Sequence, residues 1–482
     1  MLIPKQAQFI VSKLKKAGFE AYIVGGCVRD FLLEKEPNDW DVTTNAKPKE
    51  IQKIFPSSFY ENKFLTVTIQ TKSKNPKLKE IEITTYRSEA KYSDKRHPDI
   101  VKFAQSLKQD LARRDFTINA MAMDSELKII DPFEGQKDLK KKTIKAVGNP
   151  EKRFSEDALR MMRAIRFATT LNFKIEEKTG QAIKKNSALL KHISPERIRD
   201  EFLKIIMSEN AAKGIELLRE LNLLKYIVPE LEQGYNIAQN KHHIYDCYEH
   251  YIRSLEYAAQ TNFNKYVRLA ALFHDIGKPK TKRGKGLEAT FYSHEIEGAK
   301  MTKQILKRLK FSEKDIKKIT KLVRYHLFYY HPDEVGQSSV RKLVRNVGLE
   351  NIDELIQLRM ADRIGSGCPK AKPYKLRHLE YVIEKVSQDP ISVKMLKVSG
   401  NNIMKILNIK PGPQIGQILN LLLDYVLEEP NKNKKEFLEK EIKKLGKLSE
   451  KELKLIAQKA KKEIEDVEMK QDKMTKDKYW VK

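Results

Sequence analysis

Two aspartates with one residue between them, Asp39 and Asp41 in DWDVTT, are the first residues here whose types and spacing suggest chemistry. Alternate residues of a strand point to one face. Two carboxylates held there repel unless solvent or a cation separates them. Such a pair suits two Mg²⁺ ions, which take oxygen ligands and keep substrate phosphates in their shell. Glu82 in IEITTYR stands between Ile81 and Ile83 and projects from the opposite face to them, which makes it the best third carboxylate. A solvated strand face explains Asp-x-Asp as simply when it is taken alone. Its place shortly after Gly25-Gly26, Arg29 and Asp30 reverses that balance. Glycines let backbone N–H groups approach a phosphate, and a helix N-terminus favours an anion.

Further along, RRDFTINAMAMD sets Arg113, Arg114 and Asp115 beside an apolar stretch, as a phosphate or ribose contact or as a surface ion pair. After Glu156, the residues Asp157, Arg160, Arg163 and Arg166 follow at spacings of three that form a polar stripe along an expected helix, with Leu159, Met162, Ile165 and Phe167 packing its other side. A salt-bridge ladder is the alternative. A second constellation lies within residues 242–362: His242, His243, His250, His274-Asp275, His294, His326, His331 and Asp362. One buried His-Asp pair is usually a structural hydrogen bond. Four separated elements carrying His or Asp in one helical run point instead to a divalent transition metal, which neutral imidazole and carboxylate suit.

These residues need elements to hold them. Residues 1–150 alternate helical and extended patterns: AYIVGG as a strand ending in a glycine turn, CVRDFLLEK as a helix, a helix opened by Pro48, and LTVTIQT and IEITTYR as a hairpin. After Pro150 the strand signals stop and amphipathic helices follow. The fold class expected is α+β: a small mixed-sheet head and an elongated all-α body. The divisions expected are 1–150, 151–234, 235–365 and, after a linker at 366–375, a helical tail at 376–482 with a Lys-rich end.

Composition fits a nucleic-acid partner. The 482 residues carry a formal net charge of +29, and each phosphate contact by Lys or Arg releases counterions; solvated basic faces of a Lys-rich chain are the other explanation. No Cys-x-x-Cys pair occurs among Cys27, Cys247 and Cys368, which argues against a disulfide framework or thiolate zinc site and fits a reducing cytosol. The first residues lack the apolar core of a signal peptide, and no apolar run is long enough to span a bilayer. A cytoplasmic protein without a membrane partner, monomeric or homodimeric, is expected.

Taken together and in order, GGCVRD, DWDVTT, IEITTYR, YSDKRHPDIVKF, RRDFTINAMA, DPFEGQKDL, RFSEDALRMMRAIRFA and SPERIRDEF resemble the polymerase-β-like tRNA nucleotidyltransferases of the bacterial and eukaryotic class that adds CCA to tRNA. The resemblance is dense over residues 15–210; bacterial poly(A) polymerases share part of the set. It implies a polymerase-β-like head in which Asp39 and Asp41 bind two Mg²⁺ ions and Glu82 assists. Gly25, Gly26 and Arg29 hold the triphosphate, and Arg114 with Asp115 contacts the sugar and phosphate of CTP or ATP. Asp157 and Arg160 then read the base, with Arg163 and Arg166 in support. Cytosine and adenine both offer an exocyclic amine beside a ring acceptor. A carboxylate and a guanidinium match that order and mismatch uracil and guanine, leaving buried polar groups unpaired. YSDKRHPDIVKF resembles the loop that the family uses in adding the terminal A, which favours complete CCA addition or A addition over CC addition alone. The alternatives are an A-adding enzyme, a poly(A) polymerase and a catalytically idle RNA-binding protein.

Residues 235–365 resemble an HD domain, a metal-dependent phosphohydrolase fold. Its implied ligands are His250, His274, Asp275 and Asp362, with His294 and His326 for a second metal. The resemblance also implies 2′,3′-cyclic phosphodiesterase or phosphatase activity. NIKPGPQIGQIL places Lys410, Gly412 and Gly416 ahead of a helix, a grip for an RNA phosphate or a plain turn. It is similar to the tail of HD-containing members of that class.

Overall fold

A computed structural model of the chain describes residues 2–61, 66–90, 100–239, 244–284, 289–387, 392–448 and 452–453. His242 and His243, most of YSDKRHPDIVKF and nearly all of the Lys-rich end lie outside these residues.

The head is one seven-stranded mixed sheet. Strands β1 (Ala21–Val24), β2 (Asp41–Thr44), β3 (Ser58–Glu61), β4 (Thr66–Gln70) and β5 (Glu80–Thr85) come first. A separate two-stranded pair, β6 (Arg87–Ala90) and β7 (Ile100–Phe103), precedes β8 (Ala122–Met123) and β9 (Ile129–Ile130). The order in the large sheet is β3-β4-β5-β2-β1-β8-β9. Strands β4 and β5 form the expected antiparallel pair, and β2 runs parallel to β5. The helices Lys5–Lys16 and Pro48–Ile54 cover one face, burying Ile10, Val11, Leu14 and Ile51 against Ile23, Val42, Val67, Ile81 and Ile83. The period-2 burial of Ile81 and Ile83 leaves Glu82 exposed on the other side.

The body is helical, as its 3.6-residue periodicity requires. One apolar core runs from Phe116 through the helices of the middle of the chain to Val386. A second, smaller core joins Leu396, Ile403, Leu422, Val426, Leu438 and Ile442 in the tail.

The structure corrects the sequence reading at four places. Asp39 does not share a strand with Asp41, since β2 begins at Asp41. Strand signals do not stop at Pro150: β10 (Thr143–Ile144) pairs in parallel with β11 (Lys174–Ile175). Asp157 does not share a helix with Arg160. One helix ends at Glu156 and the next spans Leu159–Leu171, because Asp157 is extended (φ −136°, ψ 104°) and its Oδ1 accepts the Leu159 N–H at 3.0 Å. That competition between a short carboxylate and the backbone ladder is why Asp favours helix boundaries. Gly416 does not precede the tail helix but lies within it, since Pro413 takes the first helical position of Pro413–Glu428; its fixed φ is already suited to a helix start.

Among the described residues, no helix is long and apolar enough to cross a membrane.

Candidate active site

Gly25 closes β1 with φ +88°, a left-handed conformation that glycine adopts without steric cost. A Cβ there would lie 2.7 Å from Arg114 Nη1 and 4.0 Å from Asp41 Oδ2. The glycine turn, the arginine and the carboxylate therefore meet at one point. Gly26 opens the helix Gly26–Leu32, beside the Arg29 guanidinium. Asp41 starts β2 and faces Glu82 across the parallel ladder as its Cα partner. Asp39 lies just ahead of the strand and is exposed, separated from Asp41 by buried Trp40. Burial and then the charge of Asp39 push the Asp41 carboxyl up to about 7, against the pull of Arg114, and Glu82 adds to the rise. Asp41 is thus an acid whose proton affinity two neighbouring carboxylates raise, the chemistry that a hard divalent cation relieves, although among the described residues the three acids do not close into a compact ligand group.

Beside this corner runs a hydrogen-bonded chain. Arg29 Nη1 donates to Asn119 Oδ1 at 2.8 Å, and Asn119 Nδ2 donates to Asp115 Oδ1 at 3.2 Å. Asp115 Oδ2 accepts from Arg163 at 2.7 Å. The guanidinium carbons of Arg29, Arg163 and Arg166 stand 5.1, 5.3 and 4.0 Å from the centre of the Phe167 ring. Arg166 is also paired with Glu201 at 2.7 Å. Three cations around one ring, with Asp115 buried below them, form a surface suited to an anionic ligand.

Arg160 is placed differently from its expected neighbours. Its guanidinium is nearly buried and donates to Glu156 Oε2 at 2.9 Å, and to the carbonyls of Arg153 and Arg113 at 3.2 Å each. Burial raises the Asp157 pKa while Arg160, the Leu159 N–H, Arg197 and Arg163 oppose the rise.

Asp110, Asn119 and Phe167 carry much of this geometry and were not singled out from sequence as site residues. Asp110 is fully buried and pairs with Arg113 at 3.0 Å and Arg114 at 3.7 Å. Its spacing of three and four residues from the two arginines is a visible signal. Asn119 has none.

The histidine-rich region makes a second centre. His250 lies in the helix Cys247–Gln260, and His274 and Asp275 follow the helix Lys265–Phe273. His294 opens His294–Arg308, His326 follows Glu313–Tyr325, and Asp362 lies in Ile352–Gly365. All six are buried. His250 Nε2 and His274 Nε2 approach to 2.8 Å, with Asp275 Oδ2 at 3.1 and 3.3 Å and Asp362 Oδ1 at 3.4 and 3.6 Å. Asp275 Oδ1 faces His294 Nε2 at 3.1 Å and His326 Nε2 at 3.4 Å. His274, His294 and His326 each turn Nδ1 to the carbonyl three residues back, at 2.8, 2.7 and 2.7 Å. A donor hydrogen on Nδ1 leaves the Nε2 lone pair aimed inward, as in a metal-ligating imidazole.

Burial opposes a charge on His274, yet Asp275 and Asp362 outweigh it and push its pKa up to about 10. The residues present fit a divalent ion, whose binding would displace that proton from the imidazole. Lys278 Nζ meets Asp275 Oδ2 and Gln239 Oε1 at 2.6 Å each, and Arg359 meets Asp362 Oδ2 at 2.6 Å; none of Lys278, Gln239 and Arg359 was named from sequence. His331 stands outside both donor groups.

At the tail, Lys410, Gly412 and Gly416 are exposed at the start of Pro413–Glu428.

Comparison with known proteins finds relatives along the chain. Residues 21–145 match the poly A polymerase head domain, residues 172–234 the "Probable RNA and SrmB-binding site of polymerase A", and residues 247–366 the HD domain. The CCA-adding enzyme of Lactobacillus helveticus is 49% identical over 219 residues, which are 45% of this chain and 54% of that one. The chain thus spans about half the length of that relative in the alignment. The CCA-adding enzyme of Enterococcus faecalis is 33% identical over 444 residues, 90% of this chain and 94% of that one. The structure of the Bacillus stearothermophilus CCA-adding enzyme in complex with CTP superposes with a TM-score of 0.69 at 28% identity, covering 91% of this chain and 96% of that one. With a third of its residues shared along nine-tenths of its length, the chain belongs to the CCA-adding enzymes, a family of tRNA nucleotidyltransferases.

Proposed function

We propose that this chain adds C, C and A to the 3′ end of tRNA from CTP and ATP. The observation that carries the reading is the meeting of Asp41, Gly25 and Arg114 at one corner of the head sheet. In the transfer, the RNA 3′-oxygen bonds to the α-phosphorus, the bond to pyrophosphate breaks, and the hydroxyl proton passes to water. Two Mg²⁺ ions on Asp39 and Asp41, with Glu82 beside them, would supply activation of the 3′-oxygen and neutralisation of the leaving group. Gly25, Gly26 and Arg29 hold the triphosphate; Arg114 and Asp115 position the sugar and phosphate. Asp157 and Arg160 read the base, Arg160 exchanging its hold on Glu156 for the ring nitrogen, while Arg163 and Arg166 support the pocket. Residues 1–150 form the transferase head and 151–234 the selecting and RNA-binding part. Residues 235–365 form the HD unit, and 376–482 the tail, where Lys410, Gly412 and Gly416 meet an RNA phosphate. The three free cysteines suit a reducing cytoplasm.

Purified chain, tRNA lacking its 3′ end, and CTP alone, ATP alone or both provide the test. Products ending in CCA only with both nucleotides support the proposal. Extension by ATP alone supports the A-adding alternative, and a long A tract the poly(A) alternative.

A second reading concerns the HD centre. We infer that it holds one or two divalent transition metal ions and hydrolyses a phosphate ester, a 2′,3′-cyclic phosphodiester or a phosphomonoester. The inward-aimed imidazoles support it. Water adds to phosphorus, one P–O bond breaks, and the leaving oxygen takes a proton. Release of phosphate, or opening of a cyclic phosphate, by metal-loaded chain checks it.

A further inference from the structure

Three exposed or half-exposed rings lie along the helix Tyr374–Val386. Tyr374, His378 and Tyr381 follow at spacings of four and three residues and so share one face. Tyr374 is 63% and Tyr381 61% exposed. His378 joins them, with centroids 5.8 Å from Tyr374 and 6.0 Å from Tyr381. A fourth ring, Tyr330, stacks on His378 at 27° and 6.0 Å, and its hydroxyl meets His378 Nδ1 at 2.6 Å. Two large, rigid rings left in water on an ordered helix are not explained by the core beneath it, which takes Leu376, Leu379, Val382, Ile383 and Val386 from the same helix.

The strip lies in a basic stretch of sequence, of which Lys372 pairs with Glu380 at 2.6 Å. Between Asp362 and Glu380 the chain carries Arg363, Lys370, Lys372, Lys375 and Arg377 and no acid. It is also tied to the HD centre from two directions. Tyr330 lies four residues beyond the buried ligand candidate His326. Phe328, in the same segment, packs under the Arg359 guanidinium at 5.8 Å, and Arg359 holds Asp362.

We propose that Tyr330, Tyr374, His378 and Tyr381 form a stacking platform for unpaired nucleotides of an RNA 3′ end beside the HD centre. The identification of the occupant rests on chemistry. Exposed aromatic faces next to lysines and arginines on a strongly basic chain are the combination that binds single-stranded nucleic acid, each base stacking on a ring and the backbone meeting the cations. A protein partner would prefer a continuous apolar face, whereas these rings are interleaved in sequence with Lys375, Arg377 and Glu380. The proposal rests on the phosphohydrolase reading for its meaning, since it names RNA, not free nucleotide, as that centre's substrate class. It is tested by binding and stands apart from turnover.

The probe is a fluorescently labelled single-stranded RNA pentanucleotide ending in a 2′,3′-cyclic phosphate, titrated with full-length chain in EDTA. The Tyr374→Ala/Tyr381→Ala double variant is expected to weaken binding at least tenfold. The Tyr374→Phe/Tyr381→Phe variant, which keeps both rings, is expected to stay within twofold of wild type. Equal affinity of the Ala and wild-type chains overturns the proposal. So does a wild-type dimer that the Ala pair splits without changing RNA affinity, which assigns the rings to a subunit interface. If the affinities shift as expected but metal-loaded chain opens no cyclic phosphate, the platform stands and the phosphohydrolase reading fails. If cyclic phosphate is opened while the Ala pair binds RNA normally, the reverse holds.

Discussion

Asp41 and Glu82 lie directly opposite each other across the only parallel contact of the described head sheet, with β2 and β5 side by side. Two acids in register on adjacent strands repel unless something positive sits over them. In the proposed transferase, Asp41→Asn should lower extension of tRNA at least a thousandfold, and Glu82→Gln less, about ten- to a hundredfold. Single-turnover extension at saturating Mg²⁺ measures both. An Asp41→Asn chain that extends at the wild-type rate would remove the metal assignment.

Gly25→Ala should fail for two separable reasons. The left-handed φ costs an L-residue about 1–2 kcal/mol, and the new methyl enters the space of Arg114 Nη1. The expected result is a fold that melts a few degrees lower and a triphosphate affinity reduced at least tenfold. Thermal melting and CTP titration read the two effects independently.

Asp115 offers a pH signature. Burial alone would raise its pKa, but Arg163 and Asn119 outweigh burial and bring it from an ordinary 3.8 to about 2. A depressed carboxyl contributes stability that is complete above its unfolded pKa and is lost as pH falls through the folded one. The stability difference between wild type and Asp115→Asn should therefore be flat from pH 8 to 5 and shrink between about 4 and 2. Its plateau should be about 2 kcal/mol, below the ~3–5 kcal/mol of a fully buried pair, because the Arg163 side chain is 35% exposed. Chemical denaturation across that pH series checks the shape.

Asp157→Ala should damage nucleotide choice more than RNA affinity. Wild-type chain is expected to reject UTP and GTP by at least a hundredfold against CTP and ATP. The variant should lose at least tenfold of that discrimination while tRNA binding changes less than twofold. Incorporation of all four nucleotides at similar rates by wild type would contradict base reading by the Asp157–Arg160 pair.

Asp275 presents one oxygen to His250 and His274 and the other to His294 and His326. Asp275→Asn should reduce bound metal at both donor groups. His294→Ala should reduce it at one only. Metal content of dialysed protein by elemental analysis distinguishes the two, and equal loss in both variants would argue against a shared carboxylate.

Much of the head was legible because its signals are local. Alternation exposes Glu82 between Ile81 and Ile83, and a glycine pair after a β-rich run marks the turn at Gly25. The histidines were equally visible by residue type. What resisted reading depends on partners distant in sequence. The Asn119 bridge between Arg29 and Asp115 needs the tertiary fold to exist. The helix break at Asp157 turns on one side-chain-to-backbone hydrogen bond, which periodicity does not register. Strand β11 is two residues long and exists only because β10 lies beside it. Lys278 and Arg359 hold the HD carboxylates from positions that look like ordinary surface charge.

The three imidazoles that anchor Nδ1 on their own preceding turns have a further implication. Each ring takes its pose from the helix end that carries it, so the cage is assembled before any ion arrives. An ion entering it would pay little ordering entropy and would cross-link helices drawn from both ends of a long stretch of chain. The loaded region should then unfold as one cooperative block, while the stripped region opens piecemeal, starting where those helices end.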